Sequence, residues 1–268
     1  MTQKSTNPII TLLTDFGYRD GFVGVMKGVM LDISPKLKIV DLSHEINPHD
    51  IQSAAFVLGQ SYAYFPENTL HVVVVDPGVG TDRNIIYVEA GYYRFLAPDN
   101  GVLQYIFQWE QIYRIFTVKN NDYFLPEQSS TFHGRDIFAP VAAHLMNGVD
   151  PKNFGDRIDA KNIVLPTKPE IEQDSIRGEI VYIDHFGNLI TNISHELILN
   201  LLKKNKKFRI MLADQKIDEI SPTFYSKPQG CLLAYLDSSE YLAFAINGQN
   251  AAEKMGISIG DRFEISIN

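Results

Sequence analysis

Asp76 closes an apolar run, Leu70 to Val75, and is followed by Pro77-Gly78-Val79-Gly80, with Arg83 seven residues further on. A carboxylate at the end of a buried strand, beside glycines that let backbone approach a ligand, suits a binding or catalytic turn. The alternative is an Asp76–Arg83 ion pair that only shapes the loop. The turn is not a P-loop, because no Gly-Lys-Ser/Thr follows, and its glycine spacing does not fit a dinucleotide fingerprint. A second cluster, Thr131-Phe132-His133-Gly134-Arg135-Asp136, opens a helix. His133 is there a candidate general base or positioner of water. The plain structural alternative makes His133 a hydrogen-bonded loop residue and Asp136 a helix-start carboxylate.

Two further clusters sit in turns. Thr14-Asp15-Phe16-Gly17 follows the first apolar run, where Asp15 either binds a ribose hydroxyl pair or caps a turn. In Asp184-His185-Phe186-Gly187-Asn188, Phe186 is suited to stacking on a flat ring and Asn188 to pairing with a heterocycle edge. A plain hairpin turn is the reading its composition favours. The remaining histidines carry less. His71 lies in an alternating apolar strand as a packed residue, and His144 and His195 sit on or near helices. His44 and His49 flank Ile46-Asn47-Pro48 and are placed to approach a site. The spacing of His44, Asp76 and His133 matches no metal motif, so no metal is expected. Ser129-Ser130 lacks a nucleophile elbow. Cys231 is expected as a buried structural thiol.

These clusters need elements to hold them. Ile9 to Thr14 reads as a strand. Phe22, Val25, Met26, Val29, Met30 and Ile33 then recur on one helical face, with Asp20 a candidate cap and Ser34-Pro35 a stop. Lys38 to Leu42 is a strand, and Asp50 caps a helix carrying Ile51, Ala54, Ala55, Leu58 and Tyr62. Leu70 to Val75 suits a strand buried on both sides. This order predicts an N-terminal α/β domain over residues 1–165, its central sheet mainly parallel and flanked by helices. A hairpin is expected over Ile85–Glu89 and Tyr93–Ala97, strands at Leu103–Phe107 and Tyr113–Val118, and a helix over Ile137–Met146 that tolerates Pro140 only in its first turn. Leu165 to Glu170 reads as a linker. Strands at Gly178–Ile183, Leu189–Ile193, Phe208–Leu212, Leu232–Leu236, Tyr241–Ile246 and Arg262–Ile267, with one helix at Glu196–Leu202, predict a smaller barrel- or sandwich-like β domain over 166–268.

Composition narrows the partners. The chain has 268 residues, 45% of them apolar, with 24 Lys+Arg against 32 Asp+Glu and a net charge of −8. An acidic chain is a poor general binder of nucleic acid or anionic membranes. No apolar run is long enough to span a bilayer, and the N-terminus lacks a signal peptide's apolar stretch. With one cysteine a disulfide framework is excluded, and a reduced, cytoplasmic home is the expectation.

Taken in order, the clusters form a series: Thr-Asp-Phe-Gly at 14–17, Asp-Leu-Ser-His at 41–44, Asp-Pro-Gly-Val-Gly at 76–80 with Arg83, and Ala-Pro-Asp-Asn-Gly at 97–101. Thr-Phe-His-Gly-Arg-Asp at 131–136, Asp-His-Phe-Gly-Asn at 184–188 and Thr-Asn-Ile at 191–193 complete it. Each motif is short, but the ordered set is specific. From about Ile10 to the C-terminus the chain resembles the S-adenosyl-L-methionine (SAM) hydroxide adenosyltransferases, or SAM hydrolases, relatives of the SAM-dependent fluorinase and chlorinase. The resemblance implies an α/β domain joined to a smaller β domain. It also implies a homotrimer whose active site lies between the N-terminal domain of one subunit and the C-terminal domain of its neighbour. The implied reaction is attack of water, as hydroxide, on C5′ of SAM, giving adenosine and L-methionine, with SAM as substrate and no cofactor.

By the same resemblance Asp76, Arg83 and His133 form the catalytic triad, a water-orienting network in which His133 or Asp76 accepts the proton. Halogenating relatives carry tyrosine in place of Asp76 and Tyr-Ser in place of His133-Gly134, so this sequence sides with the hydrolases. A carboxylate there would repel a halide ion. Asp15 is expected on the ribose hydroxyls, Phe186 and Asn188 at adenine, and Asp184 on the methionine amino group. Ser238 and Ser239 fall where the family holds methionine, and Asn247 and Gly248 near adenine. Halogenating relatives have a ribose-facing tryptophan at His49, whose role here is open. The competing readings are a SAM- or adenosine-binding protein with little catalysis and a SAM-dependent halogenase.

Overall fold

A computed structural model describes residues 8–159, 164–203 and 207–267. The chain divides into two compact units, Met1–Pro166 and Thr167–Asn268. In the first, the strands are β1 (Ile9–Thr14), β2 (Lys38–Ser43), β3 (Leu70–Val74), β4 (Ile85–Ala90), β5 (Tyr93–Pro98), β6 (Ile112–Thr117) and β7 (Arg157–Ile158). The helices are α1 (Phe22–Ile33), α2 (Ile51–Ser61), α3 (Gln104–Trp109) and α4 (Ala139–Met146). The strands form one sheet in the order β2-β1-β3-β5-β4-β6-β7. Pairings β1–β2, β1–β3 and β3–β5 are parallel, whereas β4–β5, β4–β6 and β6–β7 are antiparallel. Strands β1, β2, β3, β5 and β6 therefore run one way, and only β4 and β7 oppose them.

Alternation along the central strands builds two cores. Leu12 and Val72 point into a cluster with Met26 and Met30 of α1 and Val141 of α4. Their neighbours Leu13 and Val73 point into the opposite cluster, with Ala54 and Leu58 of α2 and Ile106 of α3. The result is a sheet with helices on both faces, and strand ends left free for a site. Asp50 caps α2, its carboxylate accepting the Ser53 amide at 2.9 Å.

Four expectations for this unit change. Helix α1 buries Val23, Met26 and Met30, whereas Phe22 and Val25 are each 44% exposed. Its core stripe is thus narrower than the full apolar set, and Phe22 serves a cavity instead. Gly21, not Asp20, is its N-cap and makes no side-chain bond. The strand expected at Leu103–Phe107 is helix α3, because a short apolar run does not distinguish the two forms. The helix read over Ile137–Met146 begins earlier, with a π-turn at Gly134–Phe138 running into α4, where Pro140 occupies the first turn.

The second unit is antiparallel. It contains β8 (Glu170–Ile171), β9 (Ser175–Ile183), β10 (Leu189–Ser194), α5 (His195–Lys203), β11 (Phe208–Leu212), β12 (Gln215–Ile217), β13 (Leu232–Leu236), β14 (Tyr241–Ile246), α6 (Ala251–Met255) and β15 (Arg262–Ile267). The sheet runs β12-β11-β15-β9-β10-β14-β13, with β8 on β9. A bridge between Ile220 and Ala234 ties its two ends, so the sheet nearly closes around Ile180, Leu189, Phe244 and Ile265. Cys231 is exposed rather than buried, lying in the turn before β13.

Candidate active site

Strand β3 delivers Asp76 to the carboxyl edge of the first unit's sheet. The turn that follows is closed by Val79 N–H donating to the Asp76 carbonyl at 3.1 Å. Asn100, from the loop after β5, donates its side-chain amide to the Val75 carbonyl at 2.9 Å, which fixes the residue just before Asp76. Gly80 has φ +80°, and a Cβ there would stand 2.6 Å from the Ser130 carbonyl oxygen. Only glycine permits this approach, which brings the Asp76 turn against the segment leading to His133.

Arg83 folds back onto Asp76. Its Nε donates to Oδ1 and Oδ2 at 2.8 and 2.7 Å, and its Nη2 also donates to Oδ2. The Asp76 side chain is 4% exposed and that of Arg83 12%, so the pair is largely desolvated. Arg83 Nη2 also lies 3.2 Å from His133 Nδ1. A guanidinium only donates, so Nδ1 is the acceptor and the neutral ring carries its proton on Nε2. Burial, then the Arg83 charge, holds the His133 pKa below its ordinary value, although the Asp76 and Asp136 carboxylates oppose this. His133 stands at the head of the π-turn, a backbone irregularity common at functional sites. The alternatives weighed for Asp76 and Arg83 are therefore not exclusive, since their ion pair shapes the loop and also presents a carboxylate to a cavity.

That cavity, of about 300 Å³, is lined by Asp15, His49, Asp76 and His133 together with the rings of Phe16, Phe22 and Phe132. The three rings pack edge-on, 5.2 to 5.9 Å apart. Asp15 accepts the His49 amide at 2.9 Å, with His49 in the left-handed region at φ 68°. Residue type and spacing do not announce this aromatic wall: Phe16 and Phe132 lie inside short polar motifs, and Phe22 falls on an apolar helical stripe that reads as core.

In the second unit Asp184 organises its own loop. Its Oδ1 accepts the amides of Phe186 and Asn188 at 2.9 Å each, and its Oδ2 accepts the Asn188 side-chain amide at 2.7 Å. Gly187 has φ +81° and lies tight against Asn250. The loop is thus a true turn, as its composition favoured, and it also edges a cavity of about 500 Å³ lined by Phe186, Asn188, Phe224, Ile246, Gly248 and Gln249. Phe186 is 74% exposed. Phe224 and Gln249 were not foreseen. Ser238, Ser239 and Asn247 do not line this cavity. Asp237 Oδ1 accepts the Ser239 amide at 3.0 Å in the turn before β14, and Asn247 donates to the Lys227 carbonyl at 2.8 Å. Among the described residues no group of three or more His, Cys, Asp or Glu is arranged to hold a metal ion, and no helix is long and apolar enough to cross a membrane.

An Asp–Arg–His cluster at the edge of an α/β sheet, with an aromatic-edged cavity on a separate β unit, is the arrangement of a two-unit enzyme acting on a small molecule. The chain belongs to the SAM hydroxide adenosyltransferase family: residues 10–155 match its N-terminal domain and residues 178–264 its C-terminal domain. It is 34% identical over 262 residues to the (R)-S-adenosyl-L-methionine hydrolase of Salinispora tropica, covering 97% of this chain and 98% of that one. It is also 34% identical to the hydrolase of that name from Methanocaldococcus jannaschii, with 96% and 95% covered. An uncharacterized conserved protein from Thermotoga maritima superposes with a TM-score of 0.88 at 36% identity, over 96% of this chain and 99% of that one.

Proposed function

We propose that this chain hydrolyses S-adenosyl-L-methionine at C5′, giving adenosine and L-methionine. The observation that carries the reading is the Asp76–Arg83–His133 cluster at an aromatic-walled cavity, in a family whose relatives are named for this activity. Those names specify the R sulfonium epimer, and we assign the same epimer here.

The water oxygen bonds to C5′, the C5′–S bond breaks with its electron pair on sulfur, and the water's proton leaves through Asp76 to solvent. The leaving thioether is neutral, so no general acid and no cofactor are required. Arg83 holds the Asp76 carboxylate in place through its hydrogen bonds. A carboxylate suffices as acceptor, because water already bonded to carbon is an oxonium far more acidic than a carboxylic acid. His133, its Nδ1 engaged by Arg83, serves as an Nε2–H donor that orients the water. Positioning and exclusion of bulk water by Phe16, Phe22 and Phe132 supply the rest.

Asp15 takes the ribose hydroxyls in this reading. Phe186 and Asn188, with Asn247 and Gly248 nearby, serve adenine, while Asp184, Ser238 and Ser239 serve methionine. The second half-site comes from a neighbouring subunit of a cytoplasmic homotrimer. The test is product analysis with each sulfonium epimer, with and without chloride or fluoride. Equal yields of adenosine and methionine from the R epimer, unaffected by halide, are expected. A 5′-halogenated nucleoside, or retained adenosine without turnover, overturns the reading.

A further inference from the structure

Asp41 and His44, in the Asp-Leu-Ser-His segment, have no part in the chemistry above, yet His44 is fully buried. Leu12 and Leu13 of β1 pair with Asp41 and Ser43 of β2, so Leu42 is an extra residue, a bulge in a parallel pair. Such bulges are uncommon and redirect the chain that follows them. Here they carry His44 to the turn after β1. His44 Nδ1 lies 2.8 Å from Thr14 Oγ1, and the His44 carbonyl accepts the Gly17 amide at 2.7 Å. Thr14 Oγ1 accepts the Phe16 amide at 3.2 Å.

The far side of the ring fixes the direction of these bonds. His44 Nε2 lies 3.2 Å from Asp41 Oδ1, close but off the best line for a hydrogen bond. An ionised carboxylate only accepts, so a proton on Nε2 faces Asp41 while Nδ1 meets the Thr14 hydroxyl. Burial disfavours the charge on Asp41, but Lys27, donating at 2.7 Å, and the adjacent His44 ring keep its pKa below the ordinary carboxylate value. The chain of contacts therefore runs from Asp41 through His44 and Thr14 to the backbone on either side of Asp15.

We propose that Asp41, His44 and Thr14 are positioning residues for Asp15, holding its carboxylate at the angle that accepts a ribose diol. They touch no reacting atom. The arrangement parallels an imidazole held by a carboxylate, but its third member is a fully buried threonine hydroxyl engaged with backbone, so it orients rather than attacks. The proposal rests on the SAM-hydrolase reading, in which Asp15 faces the ribose.

The experiment measures calorimetric dissociation constants for adenosine and for 2′,3′-dideoxyadenosine, which lacks the diol, on the full-length protein and on Thr14→Val, Thr14→Ser and Asp41→Asn. Thr14→Val keeps the side-chain shape and removes the hydroxyl. It is expected to weaken adenosine roughly tenfold while leaving dideoxyadenosine within about twofold. Thr14→Ser restores adenosine binding. Asp41→Asn, at the partly exposed end of the chain of contacts, shows the same selectivity with a smaller loss. Equal losses for both nucleosides, or none, in Thr14→Val and Asp41→Asn overturn the positioning role while SAM hydrolysis by the unmodified protein leaves the functional reading standing. An unmodified protein that neither hydrolyses SAM nor binds adenosine overturns both.

Discussion

In the N-terminal unit the candidate site is made by side chains meeting across the fold, with Arg83 joining Asp76 to His133, fifty residues beyond it. In the C-terminal unit the loop carboxylates answer to their own loops, although Asn247 reaches back to the Lys227 carbonyl. Asp184 bonds residues at most four away, as do Asp237 and Asn250. The first arrangement holds a desolvated charge pair in one geometry, which is what aligning an attacking water requires. The second satisfies its carboxylates locally and offers ring faces and backbone instead, which suits recognition of a flat, neutral heterocycle. One unit is built for electrostatics and the other for shape.

The sharpest way to break that contrast is to remove the charge of Asp76. Asp76→Asn keeps the shape, leaves Arg83 without its anion, and is expected to lower kcat by about 10²–10⁴-fold, with adenosine affinity within about threefold. Adenosine release followed by chromatography decides it. Activity within about tenfold of the unmodified protein would mean that no proton acceptor is needed at Asp76, and the first unit's claim to the chemistry would fall.

The second unit should respond in binding and not in turnover. Phe186→Ala is expected to cost about 1–3 kcal/mol of adenosine affinity, the usual worth of a base stacked on a ring. Because Phe186 is 74% exposed, unfolding free energy should change by no more than about 0.5 kcal/mol. Paired titration calorimetry and thermal melts test both halves. A fall in stability without loss of affinity would turn Phe186 from a recognition surface into packing.

How far the sequence revealed each unit follows from the same contrast. The Asp184 turn was readable as a turn because all its bonds fall within five residues, where composition speaks directly. Asp76 and His133 stood out because carboxylate, glycine and histidine cluster at strand and helix ends. What spacing alone left hidden was the aromatic wall. Phe22 sits on an apolar helical stripe indistinguishable from core, and only its packing against Phe16 and Phe132 shows that it walls the cavity. The Leu42 bulge was equally invisible, because register belongs to a pair of strands and one strand's sequence does not state it. Helix α3 reads as a strand for a related reason: six residues, Gln104–Trp109, are too few for period to separate helix from strand.

The smallest expected effect concerns the protonation of His133. In the unfolded chain this imidazole takes up its proton near pH 6.5, whereas in the folded chain burial and Arg83 keep it neutral to lower pH. A depressed folded value means that acid favours the unfolded chain. His133's contribution to stability is whole above about pH 6.5 and is lost as pH falls through the folded value. Activity should follow the same window, with kcat level on lowering the pH from about 8 to 6.5 and declining only below it. Arg83→Gln removes one of the two causes and should move the His133 midpoint upward, toward the ordinary value, as read from its ring-proton NMR titration. An unmodified midpoint near pH 6.5 that does not move in Arg83→Gln would sink the contact between Arg83 and Nδ1, and with it the reading of His133 as an Nε2–H donor beside Asp76.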